Sequence, residues 1–241
     1  MKKKIIVVTG GSGRFGKILK KTNNQNRLHF PTKNQLNILD EKKINNYLNK
    51  VNPDVLIHLA GLSRPMKEHD KDINKSINLN IVGTANITKV CNKLKIKLIY
   101  FSTNYVYPGV KGNYLEKDPL LPVNNYAWSK LGGETSVQLY KNSLILRVCM
   151  TEKPFVHKKA FANVKTSFLY QEEVAKILFK LINKKGVINI GGSTKYIYDF
   201  VKKENKNIKK TYLKKHLDFG MPINSSINIS KLKKIIKINK N

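Results

Sequence analysis

Tyr126 and Lys130 lie four residues apart in Asn125-Tyr126-Ala127-Trp128-Ser129-Lys130, a spacing that puts both on one face of a helix. A phenol beside an ammonium can pass a proton to or from a substrate oxygen near neutral pH. The cation lowers the phenol's pKa and is also placed to hold a ribose. The pair alone carries little weight: 11 tyrosines and 42 lysines give about two such pairs by chance, and the chain has three. Tyr107–Lys111 encloses Pro108 and Gly109, which oppose a helix, and Tyr198–Lys202 falls far downstream on what reads as a surface helix. Only Tyr126–Lys130 follows a loop ended by Pro119 and Pro122, some 20 residues after Phe101-Ser102-Thr103-Asn104. That segment ends an apolar strand, Lys97–Ser102, and its hydroxyls face a ligand if the strand belongs to an open α/β sheet.

The element that must position such a pair is near the N-terminus. Ile5 to Val8 is β-branched throughout and lacks alternation, as in a buried parallel strand. Gly10, Gly13 and Gly16 follow at intervals of three, and Phe15, Ile18 and Leu19 then take up helical period. Strand, tight turn and helix aim backbone N–H groups and a helix N-terminus at a pyrophosphate. Gly10 allows the turn, Gly13 lets a phosphate approach, and Gly16 lets helix and strand pack; Arg14 and Phe15 complete the candidate cofactor contacts. Arg27–Phe30 is a short second strand with no carboxylate beyond it to hold a ribose 2′-OH. Arg14 and Lys33 would suit a 2′-phosphate, so NADP(H) is favoured over NAD(H), which stays open.

Val55–Gly61 is another buried strand whose small end, Ala60-Gly61, lets a cofactor near the backbone; His58 within it reads as a satisfied core histidine. A helix from Asn78 to about Lys93 leads to the Lys97 strand. Strands alternating with helices, without internal repeat, predict an α/β fold: a Rossmann-type doubly wound parallel sheet with a small C-terminal substrate-binding lobe. We place the NAD(P)-binding domain at 1–147 and a mixed region at 148–241, in which 168–190 returns to the Rossmann domain. Lys153, His157, Lys158 and Lys159 could meet a diphosphate or form a solvated face, and Ser230 is expected to cap a last helix whose Leu232, Ile235 and Ile236 pack inward.

A net charge of +31 suggests nucleic-acid binding, but only four of the 46 cationic residues are arginine, and the lysines are scattered without a nucleic-acid motif. Biased composition is the better reading, with no specific nucleic-acid partner. No apolar run approaches the roughly 18 residues of a membrane span, so no membrane association and a cytoplasmic location are expected. Two isolated cysteines, Cys91 and Cys149, indicate neither a disulfide framework nor a metal site.

With glycine turn, Ser102-Thr103 and Tyr126–Lys130 in this order, the chain resembles the extended short-chain dehydrogenase/reductase superfamily, and within it the dTDP-4-dehydrorhamnose reductase group. Ser102-Thr103-Asn104-Tyr105-Val106-Tyr107, the stretch Pro122–Glu134 and Leu144-Ile145-Leu146-Arg147 carry the likeness. It implies that Thr103 binds a substrate carbonyl oxygen, Tyr126 donates the proton, and Lys130 holds the ribose and tunes the tyrosine. A nicotinamide would deliver hydride to C4 of a nucleotide sugar. It also implies cofactor contacts at Ser102, at Asn80, which reads equally as a buried structural amide, and at Asn37-Ile38, where relatives have Asp-Ile on the adenine. Met221 replaces a sugar-contacting arginine. An NAD-dependent sugar-nucleotide epimerase and, in another class, a non-catalytic nucleotide-binding regulatory subunit are the alternatives; a homodimer is left open.

Overall fold

Five consecutive β-branched residues, Ile5–Thr9, form strand β1, because stiff side chains of that shape pack well on a pleated surface. The computed structural model describes residues 3–22, 25–214 and 220–238. After β1 come α1 (Arg14–Lys21), β2 (Arg27–His29), α2 (Glu41–Val51), β3 (Val55–His58), α3 (Glu68–Lys71) and α4 (Ile73–Ile77). A π turn over Asn78–Val82 leads into α5 (Gly83–Lys93), then β4 (Lys97–Thr103), α6 (Asn125–Gln138) and β5 (Ser143–Val148). Helix starts follow their caps. The Asp40 side chain accepts from the Lys43 N–H at α2, and Asn124 accepts from the Ala127 N–H at α6, 2.8 Å away.

The remainder comprises β6 (Met150–Thr151), β7 (Lys159–Phe161), β8 (Lys165–Thr166), β9 (Leu169–Tyr170), α7 (Gln171–Leu181), β10 (Gly186–Ile190), β11 (Lys195–Tyr196), α8 (Ile197–Lys202), β12 (Lys209–Thr211) and α9 (Ser230–Ile238). Six strands pair in parallel in the order β10-β5-β4-β3-β1-β2. From β1 the chain goes to β2 on one side and then to β3 on the other. The order reverses there, and ligands of open sheets bind at such a point.

Both faces of the sheet are covered, which is why its strands lack polar alternation. Ile6 and Val8 join Leu19, Ile99, Val174, Leu178 and Leu232 on one face. Val7 turns to the other, with Ile44, Leu48, Ile87, Leu98 and Val137. The short strand pairs β7–β12 and β8–β11 surround a smaller core of Ala160, Val164, Ile197, Val201 and Ile208. β10 returns to the main sheet beside β5, and α7 and α9 pack on its face. Helix α9 begins at Ser230, and its cap is the Asn228 side chain, which accepts from the Ser230 N–H at 2.9 Å. An Asx side chain two residues earlier reaches that N–H, so the expected Ser230 cap is not formed.

The segment before α9 threads back along the carboxyl edge of the sheet. Asn224 N–H donates to Gly109 O, Asn228 N–H to Tyr114 O, and Asn104 Nδ2 to Ser225 O, at 2.8–2.9 Å. Cys91 and Cys149 are free and buried, and no described helix is long and apolar enough to cross a membrane.

Two buried polar groups fix the layers. Arg147 on β5 and Glu134 on α6 are 3% and 1% exposed, with NH2 2.6 Å and Nε 3.0 Å from Oε1. Arg147 NH1 donates to Tyr107 Oη and Glu116 O, and Ser102 Oγ donates to Glu134 Oε2. His58 Nδ1 lies 2.8 Å from Thr9 Oγ1 and Nε2 lies 3.1 Å from Thr84 Oγ1. Thr84 spends its own proton on Asn80 O, so His58 is protonated on Nε2 and accepts from Thr9 at Nδ1. Desolvation, helped by the Lys130 charge, holds its pKa down at about 3.

Two outcomes follow. Glu134→Gln leaves a buried guanidinium uncompensated and should remove about 3–5 kcal/mol of stability, read as a lower denaturant midpoint; an unchanged midpoint would show the pair to be dispensable. The unfolded His58 binds a proton below pH 6.5 whereas the folded one resists it to about 3. Stability should therefore fall as pH drops through that window, by an amount on the order of several kcal/mol. His58→Gln should flatten that part of the acid slope in urea titrations at pH 7, 5 and 4, and identical slopes would rule the assignment out.

Candidate active site

Backbone geometry shapes the turn after β1. Gly10 has φ +72°, and a Cβ there would lie 2.6 Å from Ala60 N, at the end of β3. A Cβ on Gly16 would lie 2.6 Å from Gly10 O, so this glycine packs α1 against the turn itself. Gly13 is the N-cap of α1 and has no side-chain cap; a Cβ on it would meet only Gly10 O, at 3.2 Å. No acidic residue occupies the first turn of α1, so a helix N-terminus with unshared N–H groups faces the crevice between β1 and β3.

The structure brings Thr103, Tyr126 and Lys130 to this same carboxyl edge. Thr103 is the last residue of β4, and Tyr126 and Lys130 lie on the first turns of α6. Burial pushes the Tyr126 phenol above 10.0, while the Thr103 hydroxyl and then the Arg64 charge pull it down. Burial lowers Lys130 to about 7, opposed by Glu134 one turn on. The Lys130 ammonium rests over the Tyr100 ring, 4.2 Å from the centroid, and the Arg64 charge reaches Tyr126 from another side of the crevice.

Other expected contacts are turned to structural use. Ser102 alternates away from Thr103 along β4 and donates to Glu134, so its hydroxyl does not face the crevice. Asn80 Oδ1 accepts from Leu62 N–H, and Nδ2 donates to Leu62 O and Ser129 Oγ, all within 2.7–2.8 Å. Both its amide protons are thus committed, and of the two readings the structural amide is the one observed. A Cβ on Gly61 would lie 2.6 Å from Asn80 Oδ1, so that glycine gives room to the asparagine. The Phe15 ring packs on Phe101 in the core and leaves only its backbone to the turn. Ile38 is buried against Gly83, and Asn37 Oδ1 accepts from the Leu39 N–H. Arg14 does not turn toward the end of β2. Its Nε lies 3.5 Å from Glu152 Oε1, beyond β6, and the same carboxylate oxygen lies 2.8 Å from Arg64 NH1.

Four residues here escaped sequence reasoning. Arg64 and Glu152 form that ion cluster, and Tyr105 packs near Tyr126, Cys149 and Arg64 with its phenol raised by burial. His69 is 1% exposed, its ring centroid is 5.2 Å from that of Tyr126, and Nδ1 is 2.7 Å from Ser76 Oγ. The rarity of arginine in so lysine-rich a chain was a usable signal for Arg64, since a guanidinium is preferred to an ammonium in partly buried ion pairs. His69, alone on a short polar helix, gave none.

The chain is similar to known proteins. Residues 3–176 match the family described as RmlD substrate binding domain. Over 142 residues the chain is 31% identical to methionine adenosyltransferase 2 subunit beta of Pongo abelii, taking in 55% of this chain and 42% of that one. Over 136 residues it is 32% identical to dTDP-4-dehydrorhamnose reductase of Mycolicibacterium smegmatis, taking in 55% and 41%. These matches thus span less than half the length of the relatives. The crystal structure of dTDP-4-dehydrorhamnose reductase from Bacillus anthracis, in complex with NADP, superposes with TM-score 0.85 at 21% identity, over 97% of this chain and 93% of that one. The fold is therefore that of the dTDP-4-dehydrorhamnose reductases, and the chain belongs to the RmlD substrate-binding-domain family.

Proposed function

We propose that this chain is an NADPH-preferring oxidoreductase that reduces the 4-keto group of a nucleotide sugar. The observation that carries the reading is the meeting of Thr103, Tyr126 and Lys130 beside a glycine turn at the reversal point of the sheet. The cradle fits a dinucleotide: Gly13 leaves one side of the turn open, the helix N-terminus is uncapped, and its first turn carries no acid to repel a diphosphate. Phe30 to Gln35, after β2, include Lys33 and no carboxylate, which favours a 2′-phosphate over a free ribose hydroxyl. When bound, the nicotinamide supplies hydride. A dTDP-4-dehydrorhamnose reductase among the relatives and an NADP complex among the similar folds support the assignment.

The protein's part is proton transfer and orientation. The Thr103 hydroxyl and the Tyr126 phenol both address the substrate oxygen, and Tyr126 gives up its proton as negative charge develops there. A phenol kept protonated by burial suits an acid in the reductive direction, provided a cation stabilises the phenolate left behind. Arg64 is one such cation, and Lys130 is the second once it carries its proton. We assign the cofactor domain to 1–147 and substrate selection to the small lobe within the mixed region 148–241, of which 168–190 returns to the Rossmann sheet and where Met221 joins the smaller core. The relative named as a subunit of methionine adenosyltransferase 2 favours a second reading, a nucleotide-binding subunit without turnover.

NADPH and NADH oxidation against a panel of 4-keto-6-deoxy sugar nucleotides separates the two. Turnover should appear with NADPH, and Tyr126→Phe should lower it about 10²-fold or more. Binding without turnover across the panel would favour the subunit reading, and an unaffected Tyr126→Phe rate would remove the mechanism. Because kcat/KM follows the free enzyme, its profile should fall above a pKa of about 7 as Lys130 loses its proton. Lys130→Met should abolish that limb, whereas a wild-type profile flat from about pH 6 to 9 would contradict the role given to Lys130.

A further inference from the structure

We propose that Glu152 is a built-in competitor, occupying an anion-binding face made by Arg14 and Arg64 until the diphosphate of an incoming dinucleotide displaces it. The proposal rests on the function proposed above. Its three residues come from three sides of the crevice. Arg14 is the first residue of α1 after the glycine turn, Arg64 lies in the loop beyond β3, and Glu152 follows β6. Arg64 NH1 reaches both carboxylate oxygens, at 2.8 and 3.0 Å, and Arg14 Nε approaches one of them at 3.5 Å. One carboxylate thus answers two guanidinium groups, and the cluster keeps an excess positive charge at the rim of the dinucleotide cradle.

Two effects of Glu152 oppose each other. It could help a ligand by holding the arginines in place, or hinder it by filling their donors and repelling a second anion. The Glu152 side chain is 13% exposed, whereas Arg14 is 52% exposed and held by one long contact. A loose pair with a half-exposed guanidinium organises little, while a mostly buried carboxylate is poorly screened from a neighbouring phosphate. Competition therefore dominates. Phosphate oxygens accept from a guanidinium fork at least as well as a carboxylate does, so the arginines can change partners without losing hydrogen bonds.

The test is calorimetric titration of the whole chain with NADP+ at constant low salt, with thermal melting of each variant to confirm folding. Glu152→Gln keeps the shape and removes the charge, and should tighten NADP+ binding about 3- to 10-fold. Glu152→Asp, retracted by one methylene, should give a smaller gain. Arg64→Gln should weaken binding, and in the double variant the gain from Glu152→Gln should largely vanish, because the two residues are coupled. Unchanged or weaker NADP+ binding by a folded Glu152→Gln protein would overturn the competitor role and leave the proposed function intact. Failure of the wild-type chain to bind NADP+ at all would overturn both.

Discussion

The desolvation of Arg147 and Glu134 is the constraint on which the site depends. Two ions taken so far out of water survive only with every donor and acceptor matched, and here the matching partners come from separate elements. Glu134 is on α6, Arg147 on β5, Ser102 on β4, Tyr107 and Glu116 in the loop between β4 and α6, with Asn189 of β10 accepting from Tyr107. The pair therefore pins α6 in rotation and height against the middle of the sheet. Tyr126 and Lys130 lie two turns and one turn before Glu134 on that helix, so their position over Thr103 is set by an ion pair that touches no ligand.

The use of cations follows from the same physics. The chain has a net charge of +31 and only four arginines. Arg147 is buried, and Arg14 and Arg64 share Glu152. A planar guanidinium satisfies a carboxylate through fixed, forked hydrogen bonds, which a compact ammonium cannot match. The one lysine drawn deep into the site, Lys130, rests on the Tyr100 ring and has its pKa lowered by burial.

Much of the fold was legible because it is local. Ile5–Thr9, Val55–His58 and Lys97–Thr103 are apolar runs that announce buried parallel strands, and the glycine spacing announces the turn. Thr103, Tyr126 and Lys130 were singled out from their order along such elements. What escaped was the facing of single residues and the meeting of distant ones. A strand reverses its side-chain direction at each step, so Ser102 serves the interior while Thr103 serves the crevice, a distinction that adjacent hydroxyls do not reveal. Arg64 and Glu152 are 88 positions apart, and no periodicity marks them as neighbours.

The thread formed by residues 224–228 bears on biosynthesis. It bonds to Gly109, Tyr114 and Asn104, immediately beyond the strand that ends in Thr103. On the ribosome the central strands emerge early and can begin to collapse, yet the loop after β4 lacks these partners until a segment 121 positions beyond Asn104 has emerged. The edge is thus completed well after the strands that form it. A polypeptide cut before Asn224 would keep every strand of the six-stranded sheet and lack the seam along its carboxyl edge.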